Sequence, residues 1–400
     1  MDQSWHHRPY KDGEAMSDIH PDDDGSTIEE PGNGDAPPSR PRRDPVGWAM
    51  WSIAAIIGIV ALLMASIALG RKDNGSSSSG SGSGSGGSTA TTQPAANADA
   101  VIDFNAKPGA DWKPYDPTLK PADGATEHKI EMHAIEKVIE VAPGVTQEMW
   151  TFNGTVPGTT LRGKVGDLFT ITLFNDGKIE HSIDFHASKV AWNVEMRSIK
   201  PGESLVYQFK AKYAGAFMYH CGTAPALHHI GNGMYGAIII DPPVLAPVAH
   251  EYLIVQSELY TGPIGQPGDL TKMKKQQPDA VVFNGYVSQY KFSPIRVEPN
   301  ERVRVWVVDD GPSENSSFHI VGTIFDTVFK EGTYDLQPDS RNGGSQALDL
   351  QPAQGGFVEF TFDAAGLYPI VTHKFANVGK GALGLFQAGE VATTGTMPSH

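Results

Sequence analysis

Chemistry-bearing residues in this 400-residue chain concentrate in YHCGTAPALHHIGNGMYG, where the sole cysteine, Cys221, is followed by His228, His229 and Met234. Upstream, HSIDFH carries His181 and His186, with Asp184 between them. A thiolate and two imidazoles with a weak thioether form the donor set of a blue-copper electron-transfer site. Its soft sulfurs suit Cu(I) and its imidazoles also suit Cu(II), so one cage serves both oxidation states. A lone cysteine is most often a small buried apolar residue; here its neighbours argue for a ligand. Cys221, His229 and Met234 are expected on one loop between two strands, with His181 on a separate strand.

Strand parity divides these residues into two sets. Successive side chains on a strand point to opposite faces. If Cys221 points into its domain, His220 points out, and His181 and His186 also face opposite ways. Asp184 shares a face with His186. One face therefore collects Cys221 and His181, and the other collects His220, His186 and Asp184. Two imidazoles and a carboxylate make half of a second metal site. A catalytic metal wants a third protein ligand and an open position.

The missing ligand comes from an internal repeat. WTFNGTVPGTTLRGKVGDLFTITLFNDG from Trp150 is similar to VVFNGYVSQYKFSPIRVEPNERVRVWVVDDG from Val281. GESLVYQFKAKYAGAFMYHC from Gly202 is similar to GGFVEFTFDAAGLYPIVTHK from Gly355. This alignment pairs His220 with His373 and Cys221 with Lys374, which makes His373 the candidate third ligand. His319, in SSFHIVG near the corresponding end of the second copy, is a candidate acid/base group.

The elements that must position these residues follow from the rest of the chain. Residues 1–45 are polar and rich in Asp, Pro and Gly, as in a disordered tail. Residues 46–70 carry no charge and are long enough to cross a bilayer as one helix. Arg40, Arg42 and Arg43 before this span favour an N-terminus inside the cell, with the remainder outside. A signal anchor in the cell membrane is expected rather than a cleaved export signal. A Ser/Gly run opens a flexible linker over 71–126. From residue 127, short strand-like runs such as LFTITLF and SLVYQFKA, punctuated by Gly, Pro, Asn and Asp, indicate β-sandwiches. Domain one is expected over 127–245 and domain two over 246–393, joined by DPPVLAP, with a short tail at 394–400. The net charge of −15 excludes a nucleic-acid role, since nothing resembles a basic stripe. One cysteine excludes an intrachain disulfide framework.

The HSIDFH, YHC and THK segments resemble the two-domain copper nitrite reductases of the multicopper oxidase and cupredoxin superfamily, over most of residues 127–393. His229 is preferred to His228 because its spacing to Met234 matches the cupredoxin pattern. The resemblance implies an all-β fold of two tandem cupredoxin-like Greek-key domains. It implies a type 1 copper on His181, Cys221, His229 and Met234, and a type 2 copper on His186, His220 and His373. By the same resemblance Asp184 and His319 would manage protons, and Val321 would sit near the substrate pocket. The family assembles as homotrimers with the type 2 site between subunits, so His373 would reach the copper of a neighbouring chain. The loop from Cys221 to His229 is slightly shorter than in the best-known members, and the N-terminal anchor is not general to them.

The expected activity is one-electron reduction of nitrite to nitric oxide and water. An external donor of cupredoxin or cytochrome type would feed the type 1 copper, and the electron would cross the covalent Cys221-His220 link. A laccase-like oxidase needs a trinuclear cluster usually held by His-x-His pairs, and no His-x-His occurs in this sequence. A non-catalytic type 1 electron carrier would have no use for Asp184, His186 and His319 together.

Overall fold

In a computed structural model of the chain, the described residues are 98–391 apart from 338, 341 and 342. The expected tail, the membrane span, the Ser/Gly run of the linker and the C-terminal tail lie outside them. Among the described residues no helix is long and apolar enough to cross a membrane.

Eight strands build the first half: β1 (Glu127–Ala142), β2 (Val145–Phe152), β3 (Leu161–Lys164), β4 (Leu168–Asn175), β5 (Asp184–Phe185), β6 (Ser204–Lys210), β7 (Gly215–His220) and β8 (Tyr235–Asp241). They form two sheets, ordered β2-β1-β4-β6 and β3-β8-β7-β5. Alternation in LFTITLFN and SLVYQFK buries every second residue, the mark of sheets with one face toward a core. Met132, Ile171, Tyr207, Phe185, Tyr219 and Ile238 meet between the two sheets.

The second half contains β9 (His250–Leu259), β10 (Ala280–Phe283), β11 (Ile295–Val297), β12 (Val303–Gly311), β13 (Ser316–Ile320), β14 (Thr327–Lys330), β15 (Thr333–Leu336), β16 (Leu348–Leu350), β17 (Gly355–Phe360), β18 (Gly366–Thr372) and β19 (Leu383–Ala388). Its sheets run β10-β9-β12-β17-β14-β15 and β11-β19-β18-β13-β16. The first four positions of each sheet repeat the order of the first half. The similarity of the two sequence segments is therefore a similarity of topology, including the parallel pairs β1–β4 and β9–β12.

Strand β8 is buried along its whole length. Ile238 and Ile240 face the first core, while Ala237 and Ile239 meet Leu253, Val255, Trp306 and Phe357 of the second sandwich. A strand covered on both faces reads as a continuous apolar run, which is why this segment reads AIII. The expected joint, DPPVLAP, connects β8 to β9.

The expected flexible linker ends earlier than residue 126. Ala100 donates to the Gly262 carbonyl at 2.8 Å, Thr118 bridges Tyr252, and the Trp112 ring lies 5.0 Å from that of Tyr286. Backbone pairing at Ala100 and Thr118 and one aromatic ring, Trp112, supply these anchor points, and no strand or helix periodicity signalled them.

Candidate metal centres

Strand β7 ends at His220, so Cys221 begins the connection to β8. That connection is more ordered than a plain loop, because residues Ala226–Gly231 form a short helix that carries His229. Cys221 N–H donates to the Met234 carbonyl (3.0 Å), and Met234 N–H donates to the His229 carbonyl (3.1 Å). These bonds fold the segment back so that Cys221, His229 and Met234 are buried together. His181 joins them from an isolated bridge to Ile199, three residues short of β5.

Ligand atoms of His181, Cys221 and His229 lie within 4.8 Å of one another, all buried. Cys221 Sγ is 3.3 Å from His229 Nδ1 and receives the Ser182 N–H at 3.3 Å. Trp150 walls the cluster, with its ring 4.7 Å from that of His229 and 4.8 Å from that of His228. His228 itself turns away to the Gly268 carbonyl at 3.1 Å, whereas His229 lies beside the thiol. Burial, then the neighbouring His181 and His228 rings, pushes His229 down to about 4, so its imidazole is neutral at ordinary pH. Burial pushes the Cys221 thiol up, against the backbone N–H groups around it. A metal cation would reverse that by displacing the proton.

One atom tests whether a metal fits here. His181 Nδ1 is buried without any hydrogen-bond partner, whereas its Nε2 is 3.1 Å from Glu136 Oε1. A buried orphan nitrogen is costly unless a group from outside the chain satisfies it. Beside a thiol and a second bare imidazole, a soft-to-borderline cation such as copper is what the donor set suits.

The second cluster lies across the same strand pair. In the β5–β7 register Asp184 faces His220, and Asp184, His186 and His220 offer ligand atoms within 4.8 Å of one another. The two Nε2 atoms of His186 and His220 are 3.0 Å apart, and Asp184 Oδ2 is 3.9 Å from His220 Nε2. His220 Nδ1–H donates to the Cys221 carbonyl at 3.0 Å, which leaves its Nε2 lone pair free for a cation. Desolvation, then the adjacent His220, pushes His186 down, with Asp184 opposing. Tyr207 OH, held by Ser188 Oγ at 2.6 Å, reaches Asp184 Oδ1 at 3.4 Å.

His373 and His319 sit together in the second sandwich, their ring centroids 5.1 Å apart. Neither belongs to the donor cluster around His220 in the same chain. Register makes them a second copy of that pair. His373 N–H donates to the Ser317 carbonyl, so His319 lies two residues past the partner of His373, as His186 lies two past the partner of His220. His319 Nδ1–H donates to the Gln346 carbonyl; burial pushes its imidazole down, as does His373. Val321 follows at 41% exposure, its N–H on the Pro369 carbonyl.

Sequence reasoning missed Glu136, Trp150 and Tyr207. Glu136 had a signal: it shares strand parity with buried Met132 and Ala134, where a carboxylate is out of place. Its side chain is only 4% exposed. Burial would raise its carboxyl, but the Lys178 N–H and the His181 ring hold it below the ordinary range.

Paired sandwiches with these donor clusters define the chain as a cupredoxin-type copper protein, and the family model described as "Multicopper oxidase" matches residues 134–244. The copper-containing nitrite reductase of Neisseria gonorrhoeae is 36% identical over 282 residues, which cover 67% of this chain and 71% of that protein. This chain belongs to the family of copper-containing nitrite reductases, and so is an oxidoreductase. Among solved structures, the copper nitrite reductase from Nitrosomonas europaea matches with a TM-score of 0.61 at 33% identity, over 66% of this chain and 94% of that one. A laccase from Botrytis aclada, at 18% identity and a TM-score of 0.55 over 70% of this chain and 56% of that one, shares the fold alone.

Proposed function

We propose that this chain reduces nitrite by one electron and two protons to nitric oxide and water, with His181, Cys221, His229 and Met234 as type 1 copper ligands and His186, His220 and His373 as type 2 ligands. The observation that carries the reading is the adjacency of Cys221 and His220, whose side chains enter two different donor clusters. When bound, copper supplies one-electron redox chemistry at the first cluster and a Lewis-acid position for nitrite at the second.

The residues of the chain do the rest. The Cys221-His220 peptide, tightened by the His220 Nδ1–H bond to the Cys221 carbonyl, gives an electron a covalent path between the clusters. Burial of Cys221 and His229 behind Trp150 keeps water from the first cluster. Asp184, steadied by Tyr207 OH, stands within reach of an oxygen held near His220 and delivers one proton. His319 of a partner subunit, whose Nδ1–H is committed to the Gln346 carbonyl, would present Nε2 to the same site and, when that nitrogen is protonated, deliver the other.

The separation of the His319–His373 pair from the His220 cluster supports a homotrimer, in which His373 of a partner subunit completes the type 2 site and Val321 borders the nitrite pocket. An external cupredoxin or cytochrome would reduce the first cluster. The apolar span 46–70 would anchor the chain in the cell membrane with the copper-binding part outside.

Metal content and nitrite reduction on the same purified full-length protein test this reading. The expected result is about two coppers per chain, against about one for a carrier and about four for an oxidase. Cys221→Ala should lose the thiolate-to-copper absorption band and at least about 100-fold in donor-driven nitrite reduction, because removing a ligand costs more than disturbing its support. His373→Ala should keep the band and hold about one copper per chain, yet reduce no nitrite. Normal turnover in either variant would overturn the proposal.

A further inference from the structure

Behind the first cluster, away from the thiol, Glu136 is enclosed by a turn. Its two oxygens accept the Lys178 N–H at 2.9 and 2.8 Å, and Oε1 accepts the Ile179 N–H at 3.3 Å. The turn closes tightly: a Cβ on Gly177 would lie 2.7 Å from both carboxylate oxygens. Asn175 braces it, taking the Gly177 N–H on Oδ1 at 3.0 Å and giving Nδ2–H to the carbonyls of Ile179 and Ile199. Ile199 is in turn the backbone partner of His181. One unit therefore fixes the carboxylate, the turn and the histidine backbone, and it leaves an Oε1 lone pair aimed at His181 Nε2.

The second sandwich holds the same cradle with a different occupant. Parallel pairing sets Ala134 beside Asn175 and Gln256 beside Asp309; two residues further along lie Glu136 and Glu258. Glu258 accepts the N–H groups of Ser313 (2.6 Å) and Glu314 (2.5 Å). Its remaining oxygen takes the Tyr260 hydroxyl. The cradle is thus common to both copies, and the contact with a ligand histidine is particular to the first.

We infer that Glu136 is a positioning residue for His181: it holds the proton on Nε2, presents bare Nδ1 to the copper, and through its charge favours Cu(II) over Cu(I) at that cluster. A neutral imidazole has one donor and one acceptor nitrogen. A carboxylate behind it fixes the tautomer and ring angle and raises the basicity of the nitrogen facing the metal. This inference rests on the copper reading above.

The test uses the copper-loaded full chain as wild type, Glu136→Gln and Glu258→Gln, reading the thiolate-to-copper band and the reduction potential. Glutamine keeps an acceptor oxygen and removes the charge. Glu136→Gln should retain the band while losing roughly tenfold in preference for Cu(II), a rise of about 59 mV. Glu258→Gln disturbs the matched cradle and should leave the potential at its wild-type value. Equal potentials in Glu136→Gln and wild type, or an equal shift in Glu258→Gln, would overturn the inference. A wild-type chain with copper but no such band would sink the copper assignment instead. Should Glu136→Gln not fold, the nitrogen resonances of His181 in copper-free wild type decide: Nε2–H with bare Nδ1 is expected, and the opposite tautomer refutes it.

Discussion

Asp310 shows how far one residue in this molecule departs from its type. It is 1% exposed, on the face of β12 that meets the first sandwich, and both its carboxylate oxygens lack a partner. Burial, then the adjacent Asp309, pushes its carboxyl well above the ordinary range. Below about pH 3.9 the folded and unfolded chains both hold this proton, so it has no effect on stability. Above that, the unfolded chain ionises first and the folded chain binds more protons. Stability then falls by about 1.4 kcal/mol per pH unit until the folded carboxyl also ionises. Asp310→Asn removes this loss. Urea unfolding of the two proteins at pH 5 and pH 7 should show the variant gaining on wild type as pH rises. Parallel behaviour at both pH values would refute a protonated Asp310. Elsewhere the residue scale belongs to orphan atoms: bare His181 Nδ1 is a stronger sign of a metal than residue type alone.

At the scale of elements, β5 and β7 do most of the functional placement. Two paired strands set His220 and Cys221 on opposite faces, and the partner strand delivers Asp184 and His186 to one face while the segment before it brings His181 to the other. Strand β7 is itself held against β17 of the second sandwich. At Gly355 that contact leaves no room, since a Cβ would lie 2.2 Å from the Ala216 carbonyl oxygen. Because the obstacle is backbone, Gly355→Ala must part the two strands, at a cost of about 1–3 kcal/mol. Gly109, where an added Cβ meets nothing within 4 Å, provides the control: Gly109→Ala should stay within about 0.5 kcal/mol. Denaturant midpoints measure both, and equal midpoints would show that β7 and β17 tolerate the gap.

Across the whole molecule, the two sandwiches are joined by an apolar layer and by an ion network at its edge. Arg162 of the first sandwich bonds Asp241 at 2.9 Å and Glu251 at 2.8 and 3.0 Å. Arg304, 2% exposed, bonds Glu251 at 3.0 Å and Glu359 at 2.7 Å, and Trp306 Nε1–H adds to Glu251 at 2.8 Å. Buried charges of this kind contribute little as a set, but removing one leaves the others unpaired. Arg304→Met is expected to cost about 3 kcal/mol in unfolding while copper content per chain stays at the wild-type level. A drop in copper without a drop in stability would mean that this network supports the metal sites directly.

Much of the site was legible before any fold was known, because ligand chemistry depends on residue type and strand geometry alternates with a period of two. The sets Cys221 with His181, and His220 with His186 and Asp184, follow from parity alone, and topology bears out the repeat that pairs His220 with His373. Other features needed three dimensions. The helix Ala226–Gly231 is too short for a periodic signal, so His229 was expected on a plain loop. Residues 98–119 have no pattern, yet they pack on the second sandwich. Glu136 is 45 residues from His181 in sequence and 3.1 Å from it in space. By itself the sequence determined which residues are candidate metal ligands and how strand parity sorts them into two sets; only the tertiary structure decided which nitrogen of His181 is left bare, because that depends on a carboxylate contributed by another strand.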